Sequence, residues 1–355
     1  MFSEASRRQF LKATGGVGIG IGVAGCLGDD GADVTTTEEE TTTDDGTISV
    51  AMVIPGQIDD GGFMQAGYEG LQQSETEFGV ETTYTAEVAP ELDPLTTAIR
   101  ELADDGPDLL IAHGGQCSDA MSAVAPDYPD IEFSVNQGEV TGENLASYVV
   151  LQEESAWLAG AAAGMLTETD VVGHLSGIRV PPGLKGRAAF ADGLDHTNED
   201  ARFLTTFCGD QDDADLAKAV TEAQIDEGID YLFTMLNAGR SGAIEACREA
   251  GIKQFGNVVE WYPKHPDVFV GSAIADSSMD VVNAVRDFVN GDWESNAVHE
   301  IGLEDPDAVR LSLAPDVPQD VVDRTEELKS DIIDGRITVA TSYDGPKFNP
   351  DEVQA

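Results

Sequence analysis

The sequence predicts an α/β fold with two domains, each built on a parallel β-sheet. From residue 47 onward, short apolar segments alternate with longer segments in which apolar residues recur at helical spacing. This pattern is typical of strands joined by crossover helices. It runs through two successive series, which predicts two domains. Hydrophobic residues make up 41% of the 355 residues, enough to fill two cores.

The first series begins at 47–54 with an apolar strand that ends at Pro55 and Gly56. The segment after it carries Phe63 and Leu71 at near-helical spacing, which predicts the first helix. The other elements follow from the same two patterns. Strands are predicted at 47–54, 80–84, 108–113, 131–136 and 145–150, and helices at 62–78, 92–104, 118–125 and 153–166.

The second series repeats this order. Strands are predicted at 171–175, 203–208, 231–235 and 254–259, and helices at 186–195, 214–227 and 242–249. Ligands of open α/β sheets bind beyond the carboxyl ends of the strands, so two facing sheets predict a cleft between the domains. The segments after the strands supply glycines, amides, carboxylates and aromatic rings, which suit a polar ring-shaped ligand. They lack the Gly-Lys-Ser/Thr sequence of a phosphate-binding loop.

The first 26 residues have the features of an export signal. Residues 6–12 read Ser-Arg-Arg-Gln-Phe-Leu-Lys and resemble a twin-arginine signal. The glycine-rich apolar run at 13–25 is too short and too weakly apolar to span a bilayer. It leads into Val-Ala-Gly-Cys, which resembles a lipobox, so Cys26 is the predicted lipidation site. We therefore expect 1–26 to direct export and lipid anchoring at the cell-surface side of the cytoplasmic membrane; the alternative is a soluble protein with an accidental apolar start.

Residues 27–46 form an acidic, threonine-rich segment with nothing to build a core. Mutual repulsion of its carboxylates extends such a chain. We interpret it as a tether that holds the folded part away from the membrane.

The charge balance is strongly acidic, with 67 Asp plus Glu against 19 Lys plus Arg, a formal net charge of −48 and a pI near 4.1. A polyanion repels nucleic acid and anionic lipid surfaces, which excludes both as partners. Because acid this dense destabilises a fold in dilute buffer, we interpret it as adaptation to molar salt, where charges are screened within a few ångströms. The alternative is an ordinary acidic protein.

Cysteine and histidine usage argues against metal or cofactor chemistry. Beyond the lipobox, Cys117, Cys208 and Cys247 are far apart and odd in number, so no disulfide framework is predicted. We expect them to be small buried or half-buried residues. The five histidines do not pair at helical spacing, and none is predicted to bind a metal; they are His113, His174, His196, His265 and His299.

The clearest family signal lies at 58–65, which reads Ile-Asp-Asp-Gly-Gly-Phe-Met-Gln. It resembles the Asp-Asp-x-Ser-Phe-Asn-Gln segment of the basic membrane protein family, whose members are substrate-binding lipoproteins of ABC transporters related to purine nucleoside receptors. Residues 153–160 resemble the family's Glu-x-Ser-Phe-Leu-Ala-Gly helix. Residues 172–182 resemble its Val-Gly-Phe-x-Gly-Gly-x-x-x-Pro-Pro segment. The resemblance extends over most of 47–345.

This resemblance implies a type I periplasmic-binding-protein fold, in which two Rossmann-like lobes with parallel sheets close over a ligand about a three-crossover hinge. We place the crossings near residues 151, 275 and 312. Lobe 1 would then comprise 47–150 plus 276–312, and lobe 2 would comprise 151–275 plus 313–345. The implied partners are a nucleoside or related heterocycle and the permease subunits of an ABC importer.

The resemblance also implies site residues. Phe63 would stack on the ligand ring, and Asp59 or Asp60 would accept hydrogen bonds from ligand hydroxyls. Asp119 would be a second polar contact. Glu260 would be a third, and Gly239 would leave room for the ligand. Each of these positions has a structural alternative. Phe63 could belong to the core, and Glu260 could be a surface residue. Asp59 or Asp60, and Asp119, could cap helices.

Two positions depart from the family pattern. Met64 stands where the family has an asparagine, and Ala275 stands where we align its lysine. Two hydrogen-bond donors to a purine or its sugar are therefore missing, so purine specificity is left open. Trp261 could supply a compensating ring, or else serve as a contact between the lobes.

The function predicted from these observations is that of a tethered solute receptor with no enzymatic activity. Two alternatives stay open. One is an exported nucleoside hydrolase that uses the Asp59–Asp60 pair, although the sequence has neither H-E-x-x-H nor G-x-S-x-G. The other is a ligand-sensing partner of a membrane receptor, which the fold alone does not distinguish from transport.

Overall fold

The structure is a computed structural model that describes residues 46–59 and 62–349. The predicted export signal, residues 27–45 of the predicted tether, and Asp60 lie outside the described residues. Within them, the chain builds two six-stranded sheets. The strands are β1 (Ser49–Val53), β2 (Glu81–Thr85), β3 (Leu109–His113), β4 (Glu132–Asn136), β5 (Leu145–Val150), β6 (Val171–Ser176), β7 (Arg202–Phe207), β8 (Tyr231–Met235), β9 (Lys253–Val258), β10 (Phe269–Ala275), β11 (Val298–Ile301) and β12 (Val309–Leu313).

Helices cover the sheets and connect most of the strands. They are α1 (Phe63–Phe78), α2 (Leu92–Asp104), α3 (Ser118–Val124), α4 (Gln152–Leu166), α5 (Pro181–Thr197), α6 (Ala214–Asp226), α7 (Arg240–Ala250), α8 (Ser278–Asn290) and α9 (Gln319–Ile333). Two short 3₁₀ turns, Gly115–Cys117 and Ala125–Asp127, flank α3. None of the helices that the structure describes is long and apolar enough to cross a membrane.

The two sheets give the molecule two α/β lobes. The first sheet has the order β11-β5-β4-β3-β1-β2, and every neighbouring pair in it is parallel. The second has the order β12-β10-β9-β8-β6-β7. Its strands are parallel except for the edge strand β12, which runs antiparallel to β10. The predicted two-lobed architecture is thus confirmed, with one antiparallel edge that the sequence analysis did not specify.

Three segments pass between the lobes. Leu151 connects β5 to α4, and residues 276–277 connect β10 to α8, which packs against α1. The third crossing lies at 302–308, between β11 and β12. The predicted position of this crossing, near 312, is too late. The reason is that 309–312 already belong to β12 and pair with β10 in the second sheet.

Helices α4 and α5 pack so closely that their backbones are in contact. A Cβ atom at Gly160 would lie 2.0 Å from the carbonyl oxygen of Phe190, and one at Gly193 would lie 2.0 Å from that of Trp157. Glycine is therefore required at both positions. α5 begins five residues before its predicted start at 186, because a proline pair such as Pro181 and its neighbour is also typical of a loop. Proline is favoured at the start of a helix, where its missing N–H would have no partner in the helix.

The end of the described chain lies along the second lobe. Phe348 donates its backbone N–H to the carbonyl of Thr205 at 3.0 Å, and Thr206 donates its hydroxyl to the carbonyl of Phe348 at 2.8 Å. These bonds cover part of the open edge of β7. The Tyr343 ring packs edge-on against Phe203 of the same strand.

The three described cysteines are placed as predicted from sequence. Cys117 and Cys247 are buried, Cys208 is half-buried, and all three are free thiols. Burial raises the pKa of the Cys117 and Cys247 thiols to about 12, so both stay protonated and behave as small apolar residues.

Candidate ligand-binding cleft

A cavity of about 980 Å³ lies between the two lobes. It is lined by residues that follow β3 and β4 in the first lobe and β6, β8 and β9 in the second. These are the carboxyl ends of parallel strands, where α/β sheets bind ligands. The polar side chains are mainly amides and hydroxyls: Gln116, Ser118, Gln137, Gln152, Ser176, Gln211, Asn237, Ser241, Asn257 and Ser277.

The first lobe contributes an aromatic ring that is held from behind. Phe63, the first residue of α1, lines the cavity and is half-buried. Its ring is stacked on the fully buried His113 at the end of β3, with the ring centroids 4.0 Å apart. Nε2 of His113 lies 2.8 Å from the Phe63 carbonyl oxygen, and Nδ1 lies 3.3 Å from the Asn136 amide nitrogen. Because the carbonyl can only accept, Nε2 carries the proton and Nδ1 is the acceptor.

The second lobe contributes the indole of Trp261. Its Nε1 donates to the carbonyl of Asn257 at 3.0 Å, which fixes the ring beside the end of β9. The guanidinium carbon of Arg240 lies 4.5 Å from the ring centroid, and Nζ of Lys264 lies 5.1 Å from it. The cavity is therefore lined by an aromatic ring from each lobe, and the ring in the second lobe is associated with two cations.

Arg240 is a buried cation with no carboxylate partner in the part of the chain that the structure describes. It is 3% exposed, and its two terminal nitrogens donate to neutral oxygens only: the Thr234 carbonyl at 3.1 Å, the Thr234 hydroxyl at 2.6 Å, the Leu236 carbonyl at 2.7 Å and the Asn257 side chain. Its Nε is buried with no hydrogen-bond partner. Burial lowers the pKa of Arg240 to about 9, so the group is charged at neutral pH. Gly239 is the predicted site residue of this loop, and Arg240 was not predicted.

An ion pair joins the lobes at the rim of the cavity. Nζ of Lys185, on α5, lies 2.8 Å from Oε1 of Glu139, in the loop after β4, and 3.9 Å from Oε1 of Glu153. The Lys185 hydrogen bond lowers the pKa of Glu139, whereas burial raises the pKa of Glu153. The Glu139 side chain is 71% exposed, so the pair contributes less than about 1 kcal/mol to holding the lobes together.

Two backbone outliers shape the cavity wall. Val258 has φ +69°, and Val259 donates its N–H to the carbonyl of Asn257 at 2.9 Å, which closes a γ-turn around it. A β-branched residue in this region is strained. Gln137 has φ +56° and donates its amide to the buried carboxyl of Asp280 at 3.0 Å. That bond connects the first-lobe loop to α8, which begins at the second crossing.

The structure brings together only part of the predicted site. Phe63, Met64 and Trp261 line the cavity, as does Ala275, the position aligned with the family lysine. Asp59 is exposed and does not line it. The placement of Asp60, outside the described residues, stays a prediction.

Three other predicted residues do not line the cavity in this structure. Asp119 is exposed in the first turn of α3. Glu260 points outward and accepts a hydrogen bond from the Ser312 hydroxyl at 2.8 Å, which connects the loop after β9 to β12. Gly239 is buried at the start of α7, where a Cβ atom would lie 2.9 Å from the Gln211 carbonyl oxygen. The small residue is needed there for packing against the loop after β7.

Two α/β lobes, three crossings and a cleft lined from both sides define a type I solute-binding protein. The chain matches the Bmp family, the PnrA-like ABC transporter substrate-binding proteins, over residues 47–342, and it belongs to that family. The resemblance to basic membrane proteins that we drew from residues 58–65 is thereby confirmed.

Relatives of this chain carry different names. A protein of Haloferax volcanii named as a candidate ABC transporter glucose-binding protein is 27% identical over 361 residues, covering 95% of this chain and 91% of the relative. A purine-binding protein of Brucella abortus is 24% identical, covering 74% of this chain and 73% of the relative. A solved structure of a transcriptional activator of the comK gene from Bacillus halodurans has a TM-score of 0.71 at 24% identity, covering 82% of this chain and 99% of that one.

Proposed function

We propose that this protein is a lipid-anchored, extracytoplasmic solute receptor that binds a nucleoside-like molecule between its lobes and delivers it to an ABC permease. The observation that carries the proposal is the pair of rings, Phe63 from the first lobe and Trp261 from the second, in one cavity. A planar heterocycle offers two faces to such rings, and offset stacking favours it over a ligand without a π-face.

The polar lining fits the same ligand class. Amide and hydroxyl side chains can donate to and accept from both ring edges and sugar hydroxyls. Arg240 and Lys264, beside Trp261, favour a ligand that presents acceptors such as ring carbonyl oxygens. Met64 and Ala275 are apolar where the family has donors, so the contacts to the base differ from those of a purine receptor.

Transport by such a receptor requires no covalent step. A ligand that contacts both lobes stabilises the closed state by as much as its affinity for that state exceeds its affinity for the open one. The Lys185–Glu139 pair is too exposed to decide closure alone, and molar salt screens it further. The hydrolase alternative loses support, because Asp59 of its proposed acid pair does not line the cavity.

A sugar is the second candidate ligand. The relative whose name specifies glucose covers 95% of this chain, more than the relative whose name specifies purine binding. Hexoses also stack on indole rings and bind amide-rich clefts. The two candidates differ in one testable respect, since a hexose has no planar π-system for Phe63 and Trp261 to share.

Thermal unfolding of the mature chain in about 2–3 M KCl would test these proposals, because salt at this level screens the acidic surface. The panel would contain purine and pyrimidine nucleosides, free bases, riboflavin, thiamine and hexoses. A ligand at a hundredfold excess over its Kd adds about 2.7 kcal/mol to the free energy of unfolding. Stabilisation by nucleosides is expected. Stabilisation by hexoses alone would support the second candidate, and no response from the panel would contradict the receptor proposal.

Anchoring is testable separately. In cells that export the full chain, the wild type should fractionate with membranes, whereas Cys26→Ser should appear in the medium or the soluble fraction. Arg7→Lys combined with Arg8→Lys should block export while leaving synthesis intact. Membrane association of Cys26→Ser equal to that of the wild type would rule out lipidation at this residue as the anchor.

A further inference from the structure

A second cavity, of about 330 Å³, lies in the second lobe away from the interlobe cleft. It is enclosed by the edge strand β7, the start of α5, α6 and the last described residues of the chain. Its basic lining residues are Arg179, Arg187 and Lys347. None of the described residues that line it carries a carboxylate, which is unusual in a chain with 67 acidic and 19 basic residues.

Arg187 is a buried cation in the wall of this cavity. It is 4% exposed, and its Nε and Nη1 are buried without a hydrogen-bond acceptor among the described residues. Its guanidinium carbon lies 5.4 Å from the ring centroid of Phe207 and 4.6 Å from that of Tyr343. The ionisable groups that interact with it are Tyr343, Arg179 and the buried His174, and burial lowers the pKa of its guanidinium. A buried guanidinium without a counter-charge is costly, so the arrangement calls for an anion.

The mouth of the cavity adds to this charge. Arg179 is exposed, with its guanidinium carbon 5.2 Å from the same Phe207 ring, and Lys347 is exposed on the chain's terminal segment. Among the described residues, no ion pair within 4.0 Å includes any of the three basic residues. Other basic side chains of this acidic protein form ion pairs with carboxylates. Lys218, for example, lies within 4.0 Å of three glutamates.

Arg240 provides an internal comparison. It is equally buried and also lacks a carboxylate partner within 46–59 and 62–349, but the terminal nitrogens of its guanidinium donate to several neutral oxygens. Arg187 has no such set of oxygens among the described residues. The difference indicates that the position of Arg187 depends on something that the described residues do not supply.

We propose that this second cavity is an anion-binding site that takes a small inorganic anion, a halide or a phosphate-sized oxyanion. The anion neutralises Arg187 and is retained at the mouth by Arg179 and Lys347. Lys347 adjoins Phe348, which is hydrogen-bonded to β7. A bound anion therefore also stabilises the attachment of the terminal segment to the second lobe. The site does not depend on the identity of the transported ligand.

The test uses the mature chain in concentrated potassium gluconate at constant potassium concentration. In one titration bromide replaces gluconate, and in the other phosphate is added. The unfolding midpoint of the wild type should rise and saturate with at least one of the two anions. In crystals grown with bromide, or with phosphate, the anion should lie in this cavity, with bromide located by its anomalous signal. Saturation by phosphate alone identifies an oxyanion site, and saturation by both, with mutual displacement, identifies a general one; either supports the proposal.

The matched variants change exposed residues, so that folding is retained. Arg179→Gln combined with Lys347→Gln should weaken the anion response about tenfold or more, as expected for the loss of two charge-assisted contacts. Arg202→Gln, on the same strand β7 but paired with Glu227 outside the cavity, should respond like the wild type. Equal responses from the double variant and the wild type, or no saturable response to either anion, would overturn the proposal.

Discussion

His113 supports Phe63 through two contacts: its imidazole stacks against the Phe63 ring at 4.0 Å, and its Nε2–H donates to the Phe63 carbonyl at 2.8 Å. The histidine itself does not line the cavity. It is wedged against α1 at Gly67, where a Cβ atom would lie 2.6 Å from the imidazole. The orientation of the ligand-facing ring is therefore set by a buried residue at the end of β3.

His113→Leu should weaken ligand binding about tenfold without removing any atom that faces the ligand, because Phe63 loses its support. The free energy of unfolding should fall by about 1–3 kcal/mol, since a buried hydrogen bond is lost. Calorimetric titration and thermal unfolding would measure the two effects. His196→Leu, which changes a histidine on α5 outside the cavity, should leave affinity unchanged. Unaltered affinity in His113→Leu would show that Phe63 does not need this support.

Arg240→Met should lower both affinity and stability. The buried guanidinium donates to oxygens of Thr234, Leu236 and Asn257, so an apolar side chain leaves these acceptors without a donor and should reduce the free energy of unfolding by about 1–3 kcal/mol. Ligand affinity should fall about tenfold, because the cation beside Trp261 is lost. Arg248→Met is the matched control, on the same helix but exposed and paired with Asp267. Equal affinities in wild type and Arg240→Met would remove Arg240 from the proposed site.

Much of the architecture followed from the sequence because each sheet is buried between helices. Strands such as β5 and β8, and helix α2, have the bounds that their apolar patterns predicted. The apolar pattern did not predict the correct bounds or lobe at two places. α5 begins in a proline pair. β12 is a five-residue edge strand of the second sheet, whereas its residues 309–312 were predicted in lobe 1.

The site was less predictable, because side-chain direction depends on loop conformation. Phe63 and Trp261 follow strands, and both line the cavity, but Asp119 and Glu260 also follow strands and point outward. Arg240 was missed for a different reason. Nothing in a single sequence marks an arginine as buried without a counter-charge, since that property arises only when β8, α7 and the loop after β9 pack together.

Val258→Gly should raise the free energy of unfolding by about 1 kcal/mol. The valine has φ +69°, a conformation that glycine adopts without strain. The same change should reduce ligand affinity, since the Val258 side chain lines the cavity. Denaturant unfolding and calorimetric titration would measure both effects, and Val259→Gly would be the comparison. Val259 does not have a positive φ, so its replacement by glycine should reduce stability. Destabilisation of Val258→Gly would show that packing of the side chain outweighs the backbone strain.

His174 should make stability depend on acid pH in a defined way. It is fully buried on β6 among Phe203, Phe207 and Phe233, with its nitrogens 2.9 Å from the Thr205 and Ser176 hydroxyls. Burial, followed by the charge of Arg187, lowers the pKa of His174 to about 3 from its usual 6.5. The unfolded chain therefore binds one more proton than the folded chain between these values.

Stability from this group is complete above about pH 6.5 and is lost as the pH falls toward 3, with a slope of about 1.4 kcal/mol per pH unit. Carboxylates titrate over the same range, so the measurement is the difference between wild type and His174→Gln in denaturant unfolding. That difference should grow with pH by the slope of one proton. His174→Phe, which also lacks the proton but keeps an aromatic ring among the three phenylalanines, should give the same slope. Parallel curves for wild type and both variants would show that His174 is not held neutral by the fold.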